Sequence, residues 1–344
     1  VVRLLLDRGP DVNAQGGKYG NALQAAAAVG SEPIVHLLLE GGAEVNAQAG
    51  FYGNALQAAA AAGNESVVQL LLEHRAEVNA EGGDYGNALQ AAVFAGNRSV
   101  VQLLLDYGAS VNYQGGKYGD ALRIATNMGD SSVVQLLLKH GVEANTQNYD
   151  YVNALQVAAF AGNELVVRSL LEIGVDVNAL GGEYGNALQA AVQVGNESIV
   201  RLLLEGGAEI NAQGGQYGNA LQVAVQTRNE SIVRLLLECG ADVNAQGHQY
   251  GNALQAAAQA GNKSVVLLLL EHGVEVNARG GRYGSALQAA AQAGNRSVVR
   301  LLLQHGADVN TLGGQYNNAL QAASQAGHRL VRLLLQHRAA VNAQ

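Results

Sequence analysis

Residues 16–26 read GGKYGNALQAA, three glycines running into what looks like the start of a helix. Backbone N–H groups at a helix N-terminus attract anions, so the stretch invites a phosphate-loop reading. A phosphate loop also carries a Lys-Ser or Lys-Thr pair at the helix start, or Gly-x-Gly-x-x-Gly behind a strand. Neither is present. The stretch also recurs, as FYGNALQAA at 51–59 and DYGNALQAA at 84–92. Tyr19, Tyr52, Tyr85, Tyr118, Tyr151, Tyr184, Tyr217, Tyr250, Tyr283 and Tyr316 follow one another at intervals of 33 residues. Ten copies of one loop make the framework of an array rather than ten phosphate sites.

Two further patterns suggest chemistry and yield a structural reading. Asn64, Asn97, Asn196, Asn229, Asn262 and Asn295 each begin an Asn-x-Ser triplet, the glycosylation pattern. All sit where a second helix needs its N-cap, and capping is the predicted role. His74, His140, His272, His305 and His337 share one repeat position. Zinc ligands must converge to about 2 Å from the ion, whereas neighbouring repeats stand about 10 Å apart, a helix diameter. A cation facing a helix C-terminus is the expected role. No Ser-His-Asp or Cys-His set stands out, and the carboxylates are scattered, so the reading is no enzyme, no metal and no cofactor. Cys239 is the single cysteine. It cannot form an internal disulfide, and this fits an intracellular, cytoplasmic setting.

The formal net charge of −8 argues against a general nucleic-acid binder. Its distribution is uneven: residues 263–344 carry 8 Lys/Arg against 3 Asp/Glu, and residues 1–262 carry 12 against 25. No apolar run approaches the ~18 residues of a membrane span. A fixed period overrides the domain count that length suggests, because repeats form one body. The expectation is a single domain over 1–344: a half repeat at 1–13, then ten 33-residue repeats, the last one residue shorter. VVRLLL opens the chain mid-helix, which suggests a piece of something longer.

The repeat at 46–78, NAQAGFYGNALQAAAAAGNESVVQLLLEHRAEV, shows how the elements arise. Asn54 caps a first helix over Ala55 to Ala62, with Gln57 three residues on as the reciprocal side chain of a capping box. Gly63 ends it in the left-handed conformation. Asn64 caps a second helix whose Val67, Val68, Leu70, Leu71 and Leu72 form a wide apolar face. The glycines beyond turn the chain outward into a hairpin-like projection, where the Tyr packs the projection onto the helices. Arg75, Arg228 and Arg338 stand where other repeats have Gly, and each is expected in a strained turn.

Two short helices, a Gly-Asn turn, VVxLLL, Gly-Ala-Asp/Glu-Val-Asn-Ala and the 33-residue period resemble ankyrin repeats over the whole chain. The family's Thr-Pro-Leu-His stands here as Asn21-Ala22-Leu23-Gln24, with Asn for Thr as cap and Gln for His. The YGNALQAA dialect is similar to arrays in large fungal proteins, including NLR-like signalling proteins. The resemblance implies an all-α solenoid of stacked helix-turn-helix units with projecting β-hairpin-like loops. It also implies a scaffold that binds a protein or peptide on its concave face.

Recognition should sit where the repeats differ. The hairpin-tip column runs Lys18, Phe51, Asp84, Lys117, Asp150 and onward; the first-helix column runs through Phe94, Asn127 and Phe160, then Gln from Gln193 on. All three Phe lie between 51 and 160, with Tyr107, Tyr113 and Tyr149 nearby. Aromatic side chains at solvent-facing positions suit a binding hot spot. The predicted partner-binding residues are therefore Phe51, Asp84, Phe94, Tyr107, Tyr113, Lys117, Asn127, Tyr149, Asp150 and Phe160. In the same stretch Asn148-Tyr149-Asp150-Tyr151-Val152 replaces the Gly-rich loop, Arg123 replaces the capping Gln and Ser169 a core Leu. A decayed repeat is the competing reading. Alternatives for the whole array are a structural spacer that self-associates end to end, and the targeting arm of a larger enzyme or NLR-like protein.

Overall fold

The computed structural model describes residues 9, 11–144, 153–247, 250–327 and 330–339. Among these are twenty helices and no β-strand, with six isolated antiparallel bridges. The chain divides into two compact units. In unit 1, first helices α1 (Ala22–Val29), α3 (Ala55–Ala62), α5 (Ala88–Phe94), α7 (Ala121–Met128) and α9 (Ala154–Ala161) alternate with second helices. These are α2 (Glu32–Glu40), α4 (Glu65–Glu73), α6 (Arg98–Asp106), α8 (Ser131–Lys139) and α10 (Glu164–Glu172). Unit 2 repeats the pattern with first helices α11 (Ala187–Val194), α13 (Ala220–Gln226), α15 (Ala253–Ala260), α17 (Ala286–Gln292) and α19 (Ala319–Gln325). Its second helices are α12 (Glu197–Glu205), α14 (Glu230–Glu238), α16 (Lys263–Glu271), α18 (Arg296–Gln304) and α20 (Val331–Gln336).

Helices this short are marginal alone, so caps and neighbours must hold them. Asn54 sits in extended backbone and its Oδ1 accepts the N–H of Gln57 at 2.8 Å. Asp120 and Ser285 do the same for Arg123 and Gln288. Gly63 closes α3 at φ 69. The expected core is in place: Leu56, Ala58, Ala59 and Ala60 of α3 and Val67, Val68 and Leu71 of α4 are buried. Each fully buried aliphatic side chain contributes about 1.5–3 kcal/mol, so stacking rather than propensity stabilises the array.

The role expected for the Gln column needs correction. The reciprocal capping bond forms only at Asn153, Asn186 and Asn252. Elsewhere the buried Gln amide reaches into the next repeat. Gln24 Nε2 donates to the carbonyls of Ala47 and Gly53, Gln57 to Ala80 and Gly86, and Gln90 to Tyr113, Gly115 and Gly119. Those carbonyls belong to the next hairpin, where Gly53 O and Gly86 O also accept the backbone N–H groups of Ala49 and Gly82. The Asn of the Val-Asn-Ala segment makes a second tie: Asn79 Nδ2 donates to Gly108 O while its Oδ1 accepts from Ser110 N. Asn13, Asn46, Asn112 and Asn178 repeat the pattern.

Capping at the Asn-x-Ser column is likewise only part of the story. Asn97, Asn196, Asn229 and Asn262 cap their helices, but Asn64 and Asn295 make no side-chain cap bond. Asn295 instead donates back to Ala258 O and Gln259 O, and Asn97 adds a bond to Gly63 O. Ser169, buried in α10 where other repeats have Leu, lies 3.2 Å from Gln135 Nε2 and accepts its proton.

Hairpins close on single bridges such as Gly16↔Gly20 and Ala49↔Gly53. Gly20 has φ +93, and a Cβ there would meet Gln24 Oε1 and stand 2.7 Å from the Ala49 backbone, so the position requires glycine. Arg75, Arg228 and Arg338 do take φ of 68, 57 and 64, as their Gly-replacing positions predict.

Candidate functional site

In unit 1 the hairpin tips are joined backbone to backbone. Phe51 N–H donates to Lys18 O at 3.0 Å, Asp84 to Phe51 O at 3.3 Å and Lys117 to Asp84 O at 2.9 Å. This ladder brings the Tyr rings closer together than helix diameters allow. Tyr19 and Tyr52 stack with centroids 6.3 Å apart, Tyr52 and Tyr85 also at 6.3 Å, and Tyr85 and Tyr118 at 5.7 Å. A helix with side chains is ~10–12 Å across. Small residues make the approach feasible: the first helices face one another with Ala, and the tips are Gly-rich. These four rings of unit 1 therefore pack on one another, repeat to repeat, rather than only onto the helices as the sequence suggested.

Phe51 joins the run edge-on, 5.1 Å from Tyr52 and 6.0 Å from Tyr85. Phe94 sits over the gap between Tyr85 and Tyr118, at 5.3 and 4.6 Å. Its position thus has a packing reason beside the solvent-facing role the sequence suggested, and 37% of its surface stays exposed. Cations flank the run. Lys18 Nζ lies 6.0 Å from the Tyr19 ring and 5.9 Å from Phe51, and Lys117 Nζ lies 5.8 Å from Tyr118. These distances are within cation–π range. Burial pushes the Tyr85 phenol above its ordinary pKa, reinforced by Tyr52, Tyr118 and the Asp84 carboxylate. The Tyr85 hydroxyl therefore keeps its proton near pH 7, donor and acceptor at once.

Of the predicted partner-binding residues, Phe51, Asp84, Phe94 and Lys117 come together here. Phe160 is 42% exposed on α9, and Asn127 is exposed on α7. Tyr107 caps the C-terminus of α6 and is 45% exposed, without ring contact to the run. Tyr113 is half-buried beside Gly115 and hydrogen-bonded to Glu81; burial and then that carboxylate raise its pKa. Tyr149 and Asp150 lie outside the described residues. Sequence reasoning named Lys18 only as a column member and gave the Tyr column no binding role. The signal was available: a ring in every repeat, with Phe51 one residue before its own Tyr.

The His column has a direct explanation. Nδ1 of His74, His140, His272, His305 and His337 stands 2.8–2.9 Å from the carbonyl four residues earlier. A carbonyl only accepts, so Nδ1 carries the proton and each ring caps a helix C-terminus. No group of three or more His, Cys, Asp or Glu able to hold a metal occurs among the described residues, and no helix there is long and apolar enough to cross a membrane.

Helix-turn-helix units tied by side chains from one to the next, with hairpins in a row, define a helical repeat protein. A family profile described as ankyrin repeats (3 copies) matches residues 23–115, 121–214, 215–280 and 254–344. The chain belongs to the ankyrin repeat family. Among solved structures it is similar to the human ASB11 ankyrin repeat domain, with a TM-score of 0.58 and 25% identity over 64% of this chain and 99% of that one. It is also similar to the ankyrin repeat domain of Bcl-3, described as a unique member of the IkappaB protein family. Here the TM-score is 0.57, with 27% identity over 65% of this chain and all (100%) of that one. No curated protein sequence matches the chain. Ankyrin repeats are generally protein–protein interaction modules.

Proposed function

We propose that the array is a recognition scaffold that takes up a protein or peptide partner on the hairpin-tip and first-helix face between residues 18 and 160. The observation that carries this is the run of part-exposed rings from Tyr19 to Tyr118, joined by Phe51 and Phe94 and flanked by Lys18 and Lys117. Aromatic anchors concentrate binding energy, and Tyr combines contact area with a polar tip. The tips are already hydrogen-bonded to one another, so docking orders little backbone. The YGNALQAA dialect supports placing such a scaffold inside a larger intracellular, NLR-like protein of fungal type.

Selection of a displayed random-peptide library on the wild-type protein tests the reading. Peptides so obtained should bind Phe94→Ala/Phe160→Ala about tenfold more weakly, the loss that one hot-spot anchor entails. The variant should stay folded, its stability lowered only by the lost Phe94 contacts with Tyr85 and Tyr118, about 0.5–1.5 kcal/mol for each. Undiminished binding, or a library that yields no binder, would overturn the proposal.

A further inference from the structure

The tips of unit 1 differ from one another in charge while their spacing is held constant. In order they are Lys18, Phe51, Asp84 and Lys117: cation, aromatic ring, anion, cation. One backbone hydrogen bond per step fixes each tip to the one before. The three charged tips form no ion pair among the described residues, so their charges are available to a partner. Unit 2 offers a contrast, because there Arg282 Nε donates to the next tip, Gln315 Oε1, at 2.8 Å.

The rings attached to these tips step by 6.3, 6.3 and 5.7 Å. An extended chain presents every second side chain to one face, at intervals of about 6.6 Å. Seven extended residues therefore suffice to meet all four tips. A helix meets them at similar intervals through i, i+4 contacts of about 6 Å. It needs nearly twice the chain for this, and a free helix of that length is marginal in water.

Resting on the proposed recognition role, we infer that this face reads an extended peptide strand at alternate positions, in the order acid, apolar, base, acid. The acids meet Lys18 and Lys117, the apolar side chain meets Phe51 and the neighbouring Tyr rings, and the base meets Asp84. Alternate residues between them face solvent.

The test is fluorescence anisotropy with a labelled heptapeptide, Glu-Thr-Leu-Thr-Arg-Thr-Glu, offered in forward and reversed sequence order to the full chain. The tighter of the two should bind about tenfold better than a scramble of equal composition, the margin expected when several weak charged contacts act together. Lys117→Glu should weaken it by about the same factor, and replacing the facing Glu of the peptide by Lys should restore binding to the variant. Equal binding of the scramble, or absence of rescue, would overturn the inference. So would library-selected binders whose anchor side chains recur every third or fourth residue; in that event peptide recognition stands and only the alternate-position code falls. If no peptide of any sequence binds the wild-type face, both fall together.

Discussion

Gln90 Nε2 donates to the carbonyl of Gly119 at 2.7 Å, across 29 residues and into the next repeat. The same amide also reaches Gly115 O and Tyr113 O. Among the described residues its column is the only buried polar one, besides the caps, that runs through nearly every repeat, and it works as a tie between hairpins more than as a cap. In most hairpins the Gln adds a second donor to a carbonyl that already accepts a backbone N–H, whereas Gln90 supplies the hydrogen bonds that Tyr113, Gly115 and Gly119 accept.

Removal of that tie gives the first prediction. Gln90→Ala strands carbonyls and opens a cavity, which should cost about 2–3 kcal/mol. Gln321 occupies the same position but is exposed, and its own N–H is what Asn318 engages. Gln321→Ala should therefore cost about 0.5 kcal/mol or less. Urea unfolding of the two variants decides between the roles, since a pure capping function predicts equal losses.

Arg75 supplies a second. It holds φ 68, while the matching residue one repeat later is Gly108 at φ 84 with open space around its Cα. Left-handed backbone costs a side-chain-bearing residue about 1–2 kcal/mol, partly offset because glycine also frees the unfolded chain. Arg75→Gly should stabilise by about 0.5 kcal/mol, and Gly108→Arg should destabilise by a similar amount. Paired thermal melts check both signs. The Asn46 tie to the Arg75 carbonyl is backbone-directed and survives the first change.

These residues also show how far the sequence could be read. Helix positions, caps, core and strained arginines were legible because each depends on neighbours within a few residues: Ala55 to Ala62 was bounded by Asn54 and Gly63. The Gln and Asn ties were not, because their hydrogen-bond partners lie 23–31 residues away and a side-chain amide serves a local cap or a distant backbone group equally well. The candidate site was half legible for the same reason. Phe51 and Phe94 stood out as departures from the column consensus. The Tyr run did not, since invariance within an array reads as framework and each ring meets the next across 33 residues.

Alkaline pH provides a third prediction. The Tyr85 phenol has its folded pKa raised above the ordinary 10.0, chiefly by burial. The folded protein therefore holds this proton more tightly than the unfolded chain does. The resulting contribution to stability is complete below pH 10.0 and is lost as pH rises through the higher folded value. Absorbance titration of tyrosinate should show Tyr85, Tyr113 and Tyr184 each ionising above the ordinary phenol value. Tyr85→Phe should remove one late-titrating group and flatten the loss of stability on the alkaline side. A variant whose alkaline unfolding matches wild type would contradict the assignment.

The fourth concerns the gap between consecutive Tyr rings. In unit 1 Phe94 fills that gap, between Tyr85 and Tyr118. Gln226 holds the equivalent position in unit 2, where Tyr217 and Tyr250 line a small cleft together with Gln222 and Gly247. Its Nε2 is buried there without a hydrogen-bond partner. A stranded donor costs about 1–3 kcal/mol, and a well-placed aromatic pair contributes about 0.5–1.5 kcal/mol. Gln226→Phe should therefore raise stability by about 1–2 kcal/mol, with a rise in melting temperature. Gln226→Leu removes the donor without supplying a ring and should give the smaller part of that gain. If Phe destabilises while Leu does not, the cleft is too narrow for a ring.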